Sequence, residues 1–214
     1  MLSVKNLNLK FTKEFYALED ISLDVSPGEC VAFVGEANSG KTTLLRVLAK
    51  LEEYDSGEVY INKIPLKKID FKTDLSVGYV PYCPVFLENK TVYENFKYIL
   101  HKKGVKPAEA EKLINNAIIE FSLERIRDEK VKNIRKEDKY ILSLIRLTFR
   151  PLDLLLVDNI FDEISDVYID AILSLLKKMK TADTTLILAC TRPEIAEKMC
   201  KRKLYFEHGK IVEE

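Results

Sequence analysis

The chain has 214 residues, enough for one large domain or a core with a small inserted subdomain, and its 47% apolar content supports a sizeable buried core. Lysine plus arginine and aspartate plus glutamate number 34 each, so net charge is zero and the basic excess of a nucleic-acid-binding protein is absent. Four scattered cysteines and two histidines have no metal-site spacing, and no run approaches the roughly 18 apolar residues of a membrane span.

In chain order, the N-terminus MLSVKNLNLKF lacks the apolar core of a signal peptide. Leu7, Leu9 and Phe11 alternate as a strand does, and so do Ile21, Leu23 and Val25. A turn at Ser26–Glu29 leads into CVAFVG, a near-continuous apolar strand of the kind covered on both faces. After a glycine-containing loop, Leu44, Leu45, Val47, Leu48 and Leu51 recur at helical spacing. A turn at Gly57 restarts strand character, and LSVGYVP is a further strand, closed by Pro81. At Thr91 the period changes: Glu94 completes a capping-box spacing, and a second amphipathic helix opens near Pro107. This charged block, about 91 to 135, reads as a helical subdomain inserted in an α/β core. Alternation then returns: helix Asp138–Phe149, strand Leu154–Asp158, helix Val167–Met179, strand Thr184–Ala189, and a short helix at Glu194–Met199. A terminal hairpin, KLYFEHGKIVEE, turns at Gly209. Strands alternating with helices predict a mostly parallel sheet. Cys30, Cys83, Cys190 and Cys200 each fall in or beside an apolar segment, so the expectation is reduced, buried thiols without disulfides.

The stretch GEANSGKTT, Gly35 to Thr43, fits G-x-x-x-x-G-K-[ST], follows an apolar strand and opens a helix. Gly35 and Gly40 let the backbone curl so that N–H groups, those of Asn38 and Ser39 among them, point inward. With the positive end of the helix they cradle phosphate oxygens. Lys41 adds a point charge, the Thr42 hydroxyl is a magnesium ligand, and Thr43 faces the α-phosphate. Asp158 ends a buried apolar run and is placed to hold magnesium through water. Loop and acid together define a P-loop protein that binds a magnesium nucleotide.

Beyond these motifs, YALEDISLDVSPGECVAFVGEANSGKTTLLRVLAKLEEYDSGEVYINKIPL, VGYVPYCPVFLENKTVYENF, RPLDLLLVD and EHGKIVEE occur in an order and spacing that resemble the ATP-binding subunit of an ABC transporter over nearly the full length. The resemblance implies a single ABC-type nucleotide-binding domain, 1–214. Its parts are a P-loop α/β core, an antiparallel β subdomain near the N-terminus and the helical insert. It also implies ATP and Mg2+ as ligands, a head-to-tail homodimer or heterodimer with another ATP-binding subunit, and a membrane permease partner. The implied location is cytoplasmic, peripheral on the inner face of the membrane. In the family an aromatic near the N-terminus stacks on adenine; spacing selects Phe11, with Phe15 and Tyr16 as rivals and a core role open for each. Cys83 to Phe86 lie where the family docks its permease, with a core role again open.

Four departures from the family pattern concern hydrolysis. Tyr82 occupies the position of the lid glutamine, Asn159 that of the general base, and Arg192 that of the switch histidine. IRKED, Ile134 to Asp138, stands where the signature serine and glycines belong, and it also reads simply as the start of a helix. A neutral amide cannot accept a proton from water, a loss typically of about 10²–10⁴ in rate. DEIS, Asp162 to Ser165, replaces the family's next loop, and its acids stand too far along the chain to take the role of residue 159. The expectation is an ATP-binding subunit with weakened hydrolysis. The alternative is a non-hydrolysing regulatory or structural partner that uses ATP as a dimer clamp.

Overall fold

The computed structural model describes residues 1–12 and 15–213, so Glu214, the end of the expected hairpin, lies outside the described residues. The chain forms two compact units: Met1–Tyr82 with the segment from Pro151 onward, and Cys83–Arg150.

The first unit holds two sheets. In the antiparallel one, β1 (Leu2–Lys10) lies between β2 (Tyr16–Val25) and β4 (Ser56–Ile61), with the short β5 (Ile64–Pro65) at the edge. The expected alternation holds at Leu7 and Leu9, both buried, and β1 ends at Lys10, one residue short of Phe11. Asn6 adopts φ 46 at a register shift between Val4 and Leu7. Val4 and Leu7, three residues apart, are therefore both buried, and the strand ends before Phe11, which is exposed. Gly57, read as a turn, lies inside β4 with φ 99, where the backbone of Asn6 and Leu7 approaches too closely for a side chain.

The second sheet has the order β10-β9-β3-β8-β7-β6, from β3 (Cys30–Val34), β6 (Val77–Val80), β7 (Leu154–Asp158), β8 (Thr185–Cys190), β9 (Arg202–Glu207) and β10 (Lys210–Val212). All its pairs are parallel except the terminal hairpin β9–β10. Helix α1 (Lys41–Leu48) lies in the core between the two sheets: Leu44, Leu45, Val47 and Leu48 share one buried cluster with Leu7, Leu18 and Ile21 of the first sheet and Phe33, Leu154, Leu156 and Ile187 of the second. Leu155 and Val157 point to the opposite face of the second sheet by the strand period and are also fully buried. Helix α6 (Pro193–Met199) packs on β3 and β8 and against α5 (Asp166–Met179).

The thiol expectation is corrected at two positions: Cys30 and Cys200 form a disulfide, with Cα atoms 5.0 Å apart. Parallel pairing of β3 with β9, Val31 opposite Arg202, sets the start of one strand against the end of α6. That proximity arises from topology between residues 170 positions apart and leaves no local trace in sequence. Cys83 and Cys190 are free thiols, Cys83 exposed and Cys190 buried.

The second unit is built from α2 (Val92–Lys102), α3 (Pro107–Glu120) and α4 (Lys136–Ile145). At α2 the capping box is formed: Thr91 Oγ1 accepts from the Glu94 N–H at 3.0 Å, and the Thr91 N–H donates to Glu94 Oε2 at 2.8 Å. The buried Asn95 side chain binds Leu87 and Thr91 backbone groups, fixing the loop that enters the helix. The segment Ile134 to Asp138 opens α4, with Glu137 and Asp138 in its first turn, where carboxylates suit the helix dipole. This helix begins two residues earlier than expected and ends at Ile145.

Candidate nucleotide site

The site is assembled in the first unit where β3 meets α1. Backbone geometry there requires glycine twice. Gly40, the residue before α1, has φ 103, and a Cβ would stand 2.8 Å from the Ala17 carbonyl oxygen. At Gly35 the Phe206 carbonyl of β9 closes off the space of a side chain. The curled loop buries Ser39 and Lys41, while Asn38 is exposed in the left-handed region at φ 63. Lys41 is only 2% exposed, and its ammonium donates to Gly35 O at 2.7 Å, Glu36 O at 2.8 Å and Ser39 Oγ at 3.0 Å. Burial lowers the Lys41 pKa below the ordinary lysine value, opposed most by Asp162, then by Cys190, Asp158 and Glu36.

Asp158, the last residue of β7, is brought to the first turn of α1. Its Oδ1 accepts the Thr42 hydroxyl at 2.7 Å and its Oδ2 accepts the Tyr79 hydroxyl at 2.9 Å. Burial raises the carboxyl's pKa, countered by those two hydrogen bonds and then by Lys41 and Arg46. Burial and the neighbouring carboxylate hold the Tyr79 phenol well above its usual range. Tyr79 was not singled out in the sequence; its signal is the parallel pairing of β6 with β7, which sets Tyr79 opposite Leu156, two residues from Asp158.

Asn159 follows in the left-handed region, φ 47. Its amide nitrogen reaches Thr42 Oγ1 at 3.4 Å, and its Oδ1 is buried with no hydrogen-bond partner among the described residues. The other two substituted positions point elsewhere. The Tyr82 hydroxyl donates to the Glu163 carboxylate. Arg192 is half-buried rather than solvent-facing: it donates to the Phe161 carbonyl at 2.9 Å and to Asp166 Oδ1 at 3.0 Å, on the turn that enters α5. Cys190, at the end of β8, has its thiol pushed up to about 11, by burial first and then by Asp162.

Phe11, Phe15 and Ala17 join residues Asn38 to Thr43 and Asn159 around one groove of about 540 Å³. The Phe11 and Phe15 rings lie 6.3 Å apart at 23° and are 59% and 54% exposed. Tyr16 is outside this lining and carries the Lys10 ammonium 4.4 Å above its ring. A larger groove, about 720 Å³ beside Met1, Asp24 and Asn62, has no phosphate-binding loop.

Buried cation, curled loop, helix N-terminus, and paired hydroxyl and carboxylate together make this unit a P-loop nucleotide-binding domain. Residues 18–162 match the family described as ABC transporter. The chain belongs to that family and is built as its ATP-binding subunit. The methionine import ATP-binding protein MetN of Clostridioides difficile (strain 630) is 27% identical over 220 residues, covering 100% of this chain and 68% of the relative. MetN of Legionella pneumophila (strain Lens) is 28% identical, with 100% of this chain and 64% of the relative covered. The chain thus spans about two thirds of the length of these relatives, and 62% for MetN 1 of Enterococcus faecalis. Among solved structures, the dimeric post-hydrolysis state of the ATP-binding cassette MJ0796 bound to ADP and Pi superposes with a TM-score of 0.87 at 23% identity, covering 100% of this chain and 97% of that one. An ATP-binding subunit of an ABC transporter gives 0.83 at 25% identity, covering 99% and 88%. The α/β P-loop fold read from the sequence is thereby established.

Proposed function

We propose that the chain binds Mg-ATP at Gly35–Thr43 and Asp158 and hydrolyses it slowly, as one subunit of a homodimer or heterodimer attached to a membrane permease. The observation that carries the reading is the Thr42 hydroxyl held 2.7 Å from the Asp158 carboxylate beside buried Lys41, with an amide at the next position, Asn159. Two hard oxygens from adjacent elements fit magnesium, which takes one or two protein oxygens and completes its shell with phosphate and water. Magnesium would supply charge neutralisation on the phosphate oxygens, held by Thr42 and through water by Asp158. Loop N–H groups from Asn38 to Thr43 orient the phosphates, and the Lys41 ammonium adds charge at the loop's centre. Phe11 and Phe15 offer apolar faces to the base.

Three arrangements support slow turnover. Asn159 cannot take a proton, the Tyr82 hydroxyl is engaged by Glu163, and the Arg192 guanidinium by Phe161 and Asp166. A fourth lies in the helical unit, where acids replace the signature's donors in the first turn of α4. A homodimer would carry the cis and the signature changes at both nucleotides. With an intact partner each nucleotide would meet one of them. No helix among the described residues is long and apolar enough to cross a membrane.

The test is calorimetric titration with Mg-ATP alongside steady-state turnover. We expect saturable one-to-one binding, lost at least about tenfold in Lys41→Ala, which removes the loop's point charge. Turnover should rise about 10²-fold or more in Asn159→Glu. Absence of binding overturns the whole reading, and turnover in the unaltered chain equal to that of Asn159→Glu overturns the weakened part.

A further inference from the structure

We propose that Tyr79 is a positioning residue of the magnesium site: its hydroxyl holds the Asp158 carboxylate, and through it the Thr42 hydroxyl, in the orientation that suits a small octahedral divalent cation. This rests on the reading that the chain binds Mg-ATP. Neither the phosphate loop nor the acid-ended strand requires a phenol; the fold supplies it. β6 and β7 pair in parallel with Tyr79 opposite Leu156. Leu156 and Asp158 share a face of β7, and two residues along a strand span about 6.6 Å. A phenol laid along the sheet covers that span, and a serine or threonine hydroxyl does not. The ring packs against the core cluster that contains Leu44, Leu154 and Leu156, and the hydroxyl reaches Asp158 Oδ2 at 2.9 Å.

Asp158 is 1% exposed, so its carboxylate oxygens depend on donors from the protein. The two donors come from different elements. Thr42 of α1 gives its hydroxyl to Oδ1 at 2.7 Å, and Tyr79 of β6 gives its hydroxyl to Oδ2. A hydroxyl donates one hydrogen and keeps two acceptor lone pairs. By donating to Oδ1, Thr42 turns its lone pairs away from Asp158, and the Asn159 amide approaches the same oxygen at 3.4 Å. Thr42 and Asn159 line the nucleotide groove, whereas Asp158 and Tyr79 lie outside its lining. Tyr79 therefore acts through Asp158 and Thr42, not by touching the nucleotide. With the phenol's hydrogen removed, Oδ2 loses its donor and the carboxylate is free to turn. The direction of the Thr42 hydroxyl turns with it.

The consequence is a choice between cations. Magnesium demands near-ideal octahedral geometry, whereas calcium accepts more oxygens in looser arrangements. Oxygens whose directions are fixed from outside the coordination shell favour the smaller, stricter ion. Loosening the carboxylate should then cost magnesium more than calcium. Outer-shell partners of this kind are typically worth about 10- to 100-fold in metal affinity. A tyrosine that only filled the core would act on stability and leave the choice of cation untouched.

The experiment measures ATP affinity by calorimetry in EDTA and at buffered free Mg2+ and Ca2+. The proteins are the full chain, Tyr79→Phe, Asp158→Asn, and the two substitutions combined. Phenylalanine keeps the ring that packs in the core, and ATP binding in EDTA checks that the variant is folded. Tyr79→Phe should weaken Mg-ATP binding about tenfold or more. Ca-ATP should lose a smaller factor, so that the preference for Mg2+ over Ca2+ falls, and ATP in EDTA should bind as before. In the Asp158→Asn background Tyr79→Phe should add no further loss, because its effect runs through the carboxylate. Three results overturn the proposal: Mg-ATP affinity of Tyr79→Phe within roughly twofold of the unaltered chain, equal losses with Mg2+, with Ca2+ and in EDTA, or the full loss recurring in the Asp158→Asn background. Each of these leaves Mg-ATP binding by the unaltered chain standing, whereas failure of that chain to bind Mg-ATP removes both readings.

Discussion

Phe11 and Phe15 are exposed phenylalanines at the mouth of a groove whose floor is a phosphate loop. Each ring offers a π face with no hydrogen-bonding group of its own. Contacts of that kind hold a base by stacking without reading its polar edge. The rings tilt by only 23°, so a base placed against one can also lie along the edge of the other. Phe11→Ala should therefore weaken Mg-ATP binding about 2- to 10-fold, from the roughly 0.5–1.5 kcal/mol of an aromatic pair. Mg-GTP should lose affinity to the same extent, because neither ring distinguishes the two purines. Parallel fluorescence titrations of the variant and the unaltered chain check this, and an unchanged affinity rejects stacking at Phe11.

Elements that depend on local chemistry are the ones their residues announce. Thr91 at the cap and Glu94 three residues on specify the start of α2 by two reciprocal hydrogen bonds. Thr91→Ala should destabilise the helical unit by about 1 kcal/mol, seen as a lower urea midpoint with an unchanged slope, and Thr91→Ser should not. The phosphate loop is legible for the same reason, since strand, curled loop and helix are contiguous and Gly40 meets a local demand for positive φ. So is Asp158, which ends an unbroken apolar run on a strand buried on both faces. Phe11 is misread as a strand residue because it continues the alternation of Leu7 and Leu9, whereas β1 ends at Lys10 and leaves it exposed. Tyr79 becomes part of the site only through β6–β7 pairing. The substituted positions are legible as losses of a function; their new partners, Glu163 for Tyr82 and Phe161 for Arg192, come only from three-dimensional proximity.

At the scale of the molecule, β3 occupies the middle of the six-stranded sheet and delivers the chain directly into the phosphate loop, and Cys30 at its start is bonded to Cys200. The covalent loop so closed spans 170 positions and contains the phosphate loop, the helical unit and Asp158. A loop of that length restricts the unfolded chain by up to about 5 kcal/mol in the chain-entropy treatment. It adds no contact to the nucleotide groove, which lies at the opposite end of β3 from Cys30. Stability and nucleotide affinity should therefore separate. Reduction, or Cys30→Ala with Cys200→Ala, should lower Tm by up to about 10–20 °C, at roughly 2–4 °C per kcal/mol for a chain of this size. Saturating Mg-ATP at about 100 times its Kd should add the same increment, about 2.7 kcal/mol, to the oxidised and the reduced protein, because that linkage depends only on the native-state Kd. Thermal melts with and without reductant, each across an Mg-ATP series, measure both terms. An unchanged Tm on reduction would show that the bond constrains nothing the sheet does not already hold. A reduced protein whose nucleotide increment disappears would show that β3 carries strain from its cystine end to the loop.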